Sequence, residues 1–196
     1  IENRKENEKK KILIAPSWQP ENIIDLCIEQ ILDKYKNTPY EVIVRPHPQQ
    51  VRHQMERFVE MQERYAKDDN ITIQTDFSSN STVMDADLLI TDWSDISFEY
   101  AFTTLKPVLF IDTPMKIMNP EYDKIEQKPI NVTLRNVIGK AISVNDIDNI
   151  LEISTDMLKQ KDMYRKQIAD AREKHIFNIG KSRILSGKYI MKRLME

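Results

Sequence analysis

Glycine is scarce in this chain: 196 residues hold three, at positions 139, 180 and 187. They form no cluster, so a glycine-rich phosphate loop is excluded. A phosphate held here must be held by a helix N-terminus and by side chains. Cysteine is scarcer still. Cys27 stands alone, which excludes an internal disulfide and a cysteine-rich metal site and fits a reducing, cytoplasmic setting. No apolar run approaches the roughly 20 residues of a membrane span, and no apolar stretch follows the charged run 1–10 as a signal peptide requires. Neither sign of charge is in excess: a net charge of −2 makes no general case for nucleic acid or an anionic membrane surface. Metal-ligand spacings and nucleophile motifs are missing as well.

What remains is a globular composition, 40% hydrophobic and 31% charged, long enough for one α/β core. The stretch from Asp87 to Asp112 organises it. Leu88-Leu89-Ile90 is apolar, Thr91-Asp92-Trp93-Ser94-Asp95 is abruptly polar, a helical pattern follows to Leu105, and Val108 to Ile111 is apolar again. This is strand, turn, helix, strand, close to the shortest parallel crossover. Ser94 and Asp95 stand where N-caps belong. The open amides and dipole of a helix start favour an anion such as phosphate.

The remaining chain repeats this alternation. Residues 1–10 are a charged linker or tail, and residues 11–196 form the domain. Strands are predicted over Lys11–Ala15, Tyr40–Val44, Ile71–Gln74 and Ala141–Val144, and helices over Glu21–Lys36, Val51–Ala66, Thr82–Ala86, Asn145–Leu158, Asp162–His175 and Ser182–Leu194. Residues 113–130 carry three prolines and read as an irregular, functional or mobile loop. The expected fold is α/β: a Rossmann-like, three-layer domain with a mostly parallel sheet. In such sheets ligands bind beyond the carboxyl ends of the strands. The polar residues following the strands, from Ser17-Trp18, Arg45 and His47 to Thr91–Asp95 and Asp112-Thr113, therefore gather at one rim.

Candidate site residues follow from that rim. In Arg45-Pro46-His47-Pro48, two prolines hold the backbone extended around one histidine. Arg45 is a planar cation suited to phosphate, and His47 suits a diphosphate hydrogen bond or acid–base work. The bland alternative is a rigid strand exit whose histidine caps a neighbouring loop. Ser94 can give its hydroxyl and amide to a phosphate oxygen, whereas the Asp95 carboxylate repels one and suits a cap or a ligand hydroxyl. Glu99, one helical turn on, reaches a ribose or polyol hydroxyl or is simply solvated. Trp18 and Trp93 shelve a base or pack the rim. His53 and His175 read as surface residues, the sequon at Asn131 as chance, and Lys181-Ser182-Arg183 as a solvated basic helix start.

Taken in order, Ile12–Trp18, Arg45–Pro48, Leu89–Asp95, Phe98–Ala101, Lys106–Val108 and the ending Asn178–Ser182 resemble the C-terminal half of the CDP-glycerol glycerophosphotransferases, enzymes of teichoic-acid and capsule polymers. The resemblance covers roughly residues 11–194. It implies the donor-binding, C-terminal domain of a GT-B architecture. It implies transfer of a polyol phosphate from a CDP-linked donor to a hydroxyl of a lipid-linked or polysaccharide acceptor; no cofactor is expected, and the sequence itself offers no metal-ligand spacing. The family's catalytic histidine falls on His47, and its paired turn serines fall on Ser94 and Asp95, where Asp departs from Ser. Donor contacts are expected from Ser17, Trp18, Arg45, Asp92, Ser94, Asp95 and Glu99. An N-terminal acceptor-binding domain outside this chain is implied, so negligible turnover is expected from this chain alone. A cytoplasmic protein, peripheral at the inner membrane face through that other domain, fits the resemblance. Two alternatives stay open: a nucleotide-sugar glycosyltransferase on the same fold, and a non-catalytic domain that kept it.

Overall fold

The computed structural model describes residues 9–196; the charged lead-in over 1–8 lies outside the described residues. Six strands form one sheet: β1 (Lys11–Ile14), β2 (Glu41–Val44), β3 (Ile71–Ile73), β4 (Leu88–Thr91), β5 (Val108–Asp112) and β6 (Gly139–Ser143). Their order is β3-β2-β1-β4-β5-β6, and every neighbouring pair is parallel. The sheet is thus wholly parallel among the described residues, one step beyond the expected mostly parallel one.

Strand composition tracks position. β1, β4 and β5 are central, covered on both faces, and read as unbroken apolar runs; Ile12–Ile14, Leu88–Ile90 and Val108–Ile111 are all buried. The edge strand β3 alternates, with Thr72 exposed between buried Ile71 and Ile73. β6 alternates too and begins at Gly139, two residues before the predicted start. A Cβ at Gly139 would sit 1.7 Å from the Val108 carbonyl oxygen, so only glycine lets β6 approach β5 in this register.

The helices are α1 (Ile23–Leu26), α2 (Ile28–Tyr35), α3 (Pro48–His53), α4 (Met55–Arg64), α5 (Ser81–Asp85), α6 (Ile96–Thr104), α7 (Ile130–Thr133), α8 (Arg135–Ile138), α9 (Ile150–Lys159), α10 (Lys161–His175) and α11 (Ser182–Met195). Right-handed crossovers send β1-β2-β3 connections to one face and β4-β5-β6 connections to the other, because the order reverses after β1. The packing agrees: α2 meets α9 on one face, and α6 meets α5 and α10 on the other. The Tyr35 hydroxyl contacts the Ser154 hydroxyl and ties α2 to α9.

Two predicted helices are broken. The first starts only after Asn22, whose side chain accepts from the amides of Ile24 (2.8 Å) and Asp25 (3.3 Å). It then breaks at Cys27. The Ile24 carbonyl, which a continuous helix would offer to Ile28, accepts from Arg57 Nη2 at 2.7 Å instead. The second starts three residues earlier than expected, because Pro48 fits the first helical position, and breaks at Gln54. The 113–130 segment carries a 3-10 turn at Tyr122–Lys124, and the helix predicted over Asn145–Leu158 opens as a 3-10 segment, Val144–Asn149. No described helix is long and apolar enough to cross a membrane.

Candidate donor site at the sheet rim

All six strands run the same way, so their carboxyl ends share one rim. The order reverses between β1 and β4, and their connections leave toward opposite faces. A crevice opens at that switch point in sheets of this kind. Here the β1 loop holds Ser17 and Trp18, and the β4 turn holds Asp92 to Asp95.

Asp92 joins the two. Its carboxylate is fully buried and accepts from the Ser17 amide at 2.7 Å, the Trp93 amide at 2.7 Å and the Ile23 amide at 3.2 Å. Such saturation by backbone donors stabilises a buried carboxylate. Asp92 is therefore a clamp beneath the rim. Those three bonds account for the side chain within the fold, where the resemblance implies a donor contact. Beside it, Thr91 Oγ1 donates to the Ala15 carbonyl at 2.6 Å.

The β4 turn then presents amides. Among the described residues, the N–H groups of Ser94, Asp95 and Ile96 find no acceptor. Asp95 occupies the cap position of α6, but its backbone is helical and its side chain makes no capping bond. The carboxylate stands exposed at the rim instead of closing the helix end, contrary to the reading of Asp95 as the cap. Ser97 Oγ donates to the Ser94 carbonyl at 2.9 Å, which fixes the turn from inside. Glu99 is exposed one turn along α6.

His47 lies at the end of the β2 exit. Its Nδ1 accepts from the Gln49 amide at 3.2 Å, so the neutral ring carries its proton on Nε2. Burial, then the charge of Lys116, holds the imidazole below its ordinary range. The result is a neutral ring with an Nε2–H to offer. Trp18 is 43% exposed, with its ring 5.7 Å from that of His47. The Ser17 hydroxyl is buried without a partner, as is that of Thr113 after β5.

Arg45 departs from expectation. Its guanidinium turns to the β3–α5 loop, donating to the Ser79 carbonyl (3.0 Å) and Asn80 Oδ1 (3.1 Å) and lying over the Phe77 ring. It holds that loop and is not aimed at the β4 turn. Contacts thus link Ser17 to Asp92 and Trp18 to His47, Ser94 follows Asp92 two positions along the same turn, and Arg45 stands outside these contacts.

The sequence did not disclose Arg135. It is 5% exposed, donates to the Asp92 carbonyl at 3.1 Å, pairs with Asp112, and lies 3.9 Å from the Trp93 ring centre. Burial pulls its guanidinium below the ordinary range, while Asp112 and then Asp92 oppose the shift. An arginine between Leu134 and Val137 was the only signal for a buried cation. The strap after β5 was likewise hidden: Trp93 Nε1 donates to the Thr113 carbonyl at 2.8 Å and Gln19 Nε2 to the Pro114 carbonyl at 2.9 Å. Cys27 is no nucleophile, because burial, then Asp92, pushes its thiol up to about 12.

This doubly wound parallel sheet, with its rim at the switch point, is the Rossmann-like fold of GT-B C-terminal domains. Solved structures that share it include the following three. The C-terminal CMP-Kdo binding domain of WaaA from Acinetobacter baumannii matches with TM-score 0.51 and 12% identity over 84% of this chain and 88% of that one. The C-terminal domain of the group 1 glycosyl transferase LpcC from Francisella tularensis gives 0.53 and 13%, over 85% of each chain. MurG from Acinetobacter baumannii gives 0.54 and 16% over 85% of this chain, which spans only 46% of MurG. At these identities the likeness is one of fold. No curated protein sequence matches. The family follows from the sequence: residues 3–178 match CDP-Glycerol:Poly(glycerophosphate) glycerophosphotransferase, and the chain belongs to that family of transferases.

Proposed function

We propose that this domain binds the donor of a polyol-phosphate transfer, a CDP-linked polyol, with its diphosphate at the β1–β4 switch point. One observation carries the reading. The Asp92 carboxylate pins the β1 loop to the β4 turn while the amides of Ser94, Asp95 and Ile96 remain open at the start of α6. Open amides at a helix start bind phosphate oxygens.

In this reading a hydroxyl oxygen of a polymer acceptor attacks the distal phosphorus of the donor. The bond from that phosphorus to the bridging oxygen breaks, CMP departs with the electron pair, and the hydroxyl proton passes to a base on a facing acceptor domain. The amides of Ser94 to Ile96 and the His47 Nε2–H meet charge that grows on the phosphate oxygens, acting by preorganised electrostatics. Trp18 offers its exposed indole to the base. The Asp95 carboxylate opposes an anion beside it and suits the hydroxyls of the polyol. Arg45 supports the site by holding the 77–80 loop.

Thermal shift with CDP-glycerol and a panel of UDP-sugars tests this. Stabilisation by CDP-glycerol supports the reading. Stabilisation by a UDP-sugar alone replaces it with sugar transfer, and no response to any nucleotide at millimolar concentration removes donor binding altogether.

A further inference from the structure

His53 ends α3, in a charged stretch whose sequence reads as plain surface. The structure puts its ring 5.5 Å from the Trp18 ring at a tilt of 32°. Trp18 meets His47, at the other end of the same helix, at 5.7 Å and 30°. The indole therefore lies along α3 and touches the side chains that precede and end it. Its own loop is fixed from below, since the neighbouring Ser17 amide donates to the buried Asp92 carboxylate.

We infer that His53 is a positioning residue for the rim: it supports the Trp18 indole, and the indole in turn holds the His47 ring in the orientation that leaves Nε2 free. Aromatic pairs at these separations favour offset or tilted contacts and restrict both rings. Without His53, an indole that is 43% exposed keeps only His47 as a ring neighbour among the described residues. The indole then swings, the His47 ring loses its wall, and rotation about its Cβ–Cγ bond trades the Gln49 contact at Nδ1 for water. The consequence for donor affinity rests on the proposed function; the effect on the His47 ring does not.

The chain has three histidines, so long-range proton–nitrogen NMR of the imidazoles resolves each by single substitution. At a pH where the rings are neutral, wild-type His47 is expected to show one tautomer, with Nδ1 bare and Nε2 protonated. In His53→Ala that signature should broaden toward a mixture, and in His53→Phe, which keeps a ring against Trp18, it should persist. His53 is exposed, so neither change threatens the fold. CDP affinity by calorimetry should fall about threefold to tenfold in His53→Ala and recover in His53→Phe. An unchanged His47 signature in His53→Ala overturns the inference, as does equal loss in both variants. Should wild type fail to bind CDP while the NMR pattern behaves as described, the donor reading fails and the positioning role stands.

Discussion

The carboxylate of Asp92 and the amide of Ser17 meet at 2.7 Å across 75 positions of sequence. This bond joins the loops on either side of the switch point, and the rest of the rim depends on it. Asp92→Asn keeps the shape but substitutes an NH2 for one acceptor oxygen, setting donor against donor among three amides. Loss of about 2–3 kcal/mol in unfolding free energy is expected, read by urea denaturation. A loss below about 0.5 kcal/mol contradicts the clamp.

Arg135 gives a second test. Lysine retains the charge but cannot reach the Asp92 carbonyl and Asp112 while lying flat on Trp93, so Arg135→Lys is not conservative here. Destabilisation of about 1.5–3 kcal/mol is expected by chemical denaturation. Stability equal to wild type would mean the guanidinium braces nothing.

Gly139 tests the register. Its backbone is extended, so no torsional strain is involved. The obstacle is the Val108 carbonyl, 1.7 Å from any added Cβ. Gly139→Ala should cost about 3 kcal/mol or more by forcing β6 from β5. Hydrogen exchange should show the loss first in the amides that pair these strands.

His47 tests the electrostatics. Burial first and Lys116 second keep its folded-state pKa below the ordinary 6.5. The unfolded chain therefore binds the proton more readily. The stability tied to this group is present above the unfolded pKa and is lost as pH falls through the folded one. NMR titration should place the His47 midpoint below 6.5, and Lys116→Ala should move it upward. A midpoint unmoved by that change separates Lys116 from the site.

The sheet was legible because central parallel strands, buried on both faces, must be continuous apolar runs; Ile12–Ile14, Leu88–Ile90 and Val108–Ile111 satisfy this in the sequence itself. The gathering of Ser17, Trp18, His47 and the β4 turn at one rim follows from strand direction alone. Side-chain aim does not. Arg45 follows its strand as a rim cation should, yet its guanidinium finds Ser79 and Asn80. Asp92 looked free because polar residues after strands usually are, and only tertiary contact shows three amides filling its oxygens. The break at Cys27 depends on Arg57, which approaches from another helix. Arg135 was invisible because its partners lie on other strands and loops.

Donor binding at the β4 turn is tested most directly by backbone amide shifts of the labelled domain on titration with CDP. The account predicts the largest saturable shifts at Ser94, Asp95 and Ile96, with companions at Ser17, Trp18 and His47. Saturable shifts confined to other surfaces, with those amides still, would contradict it.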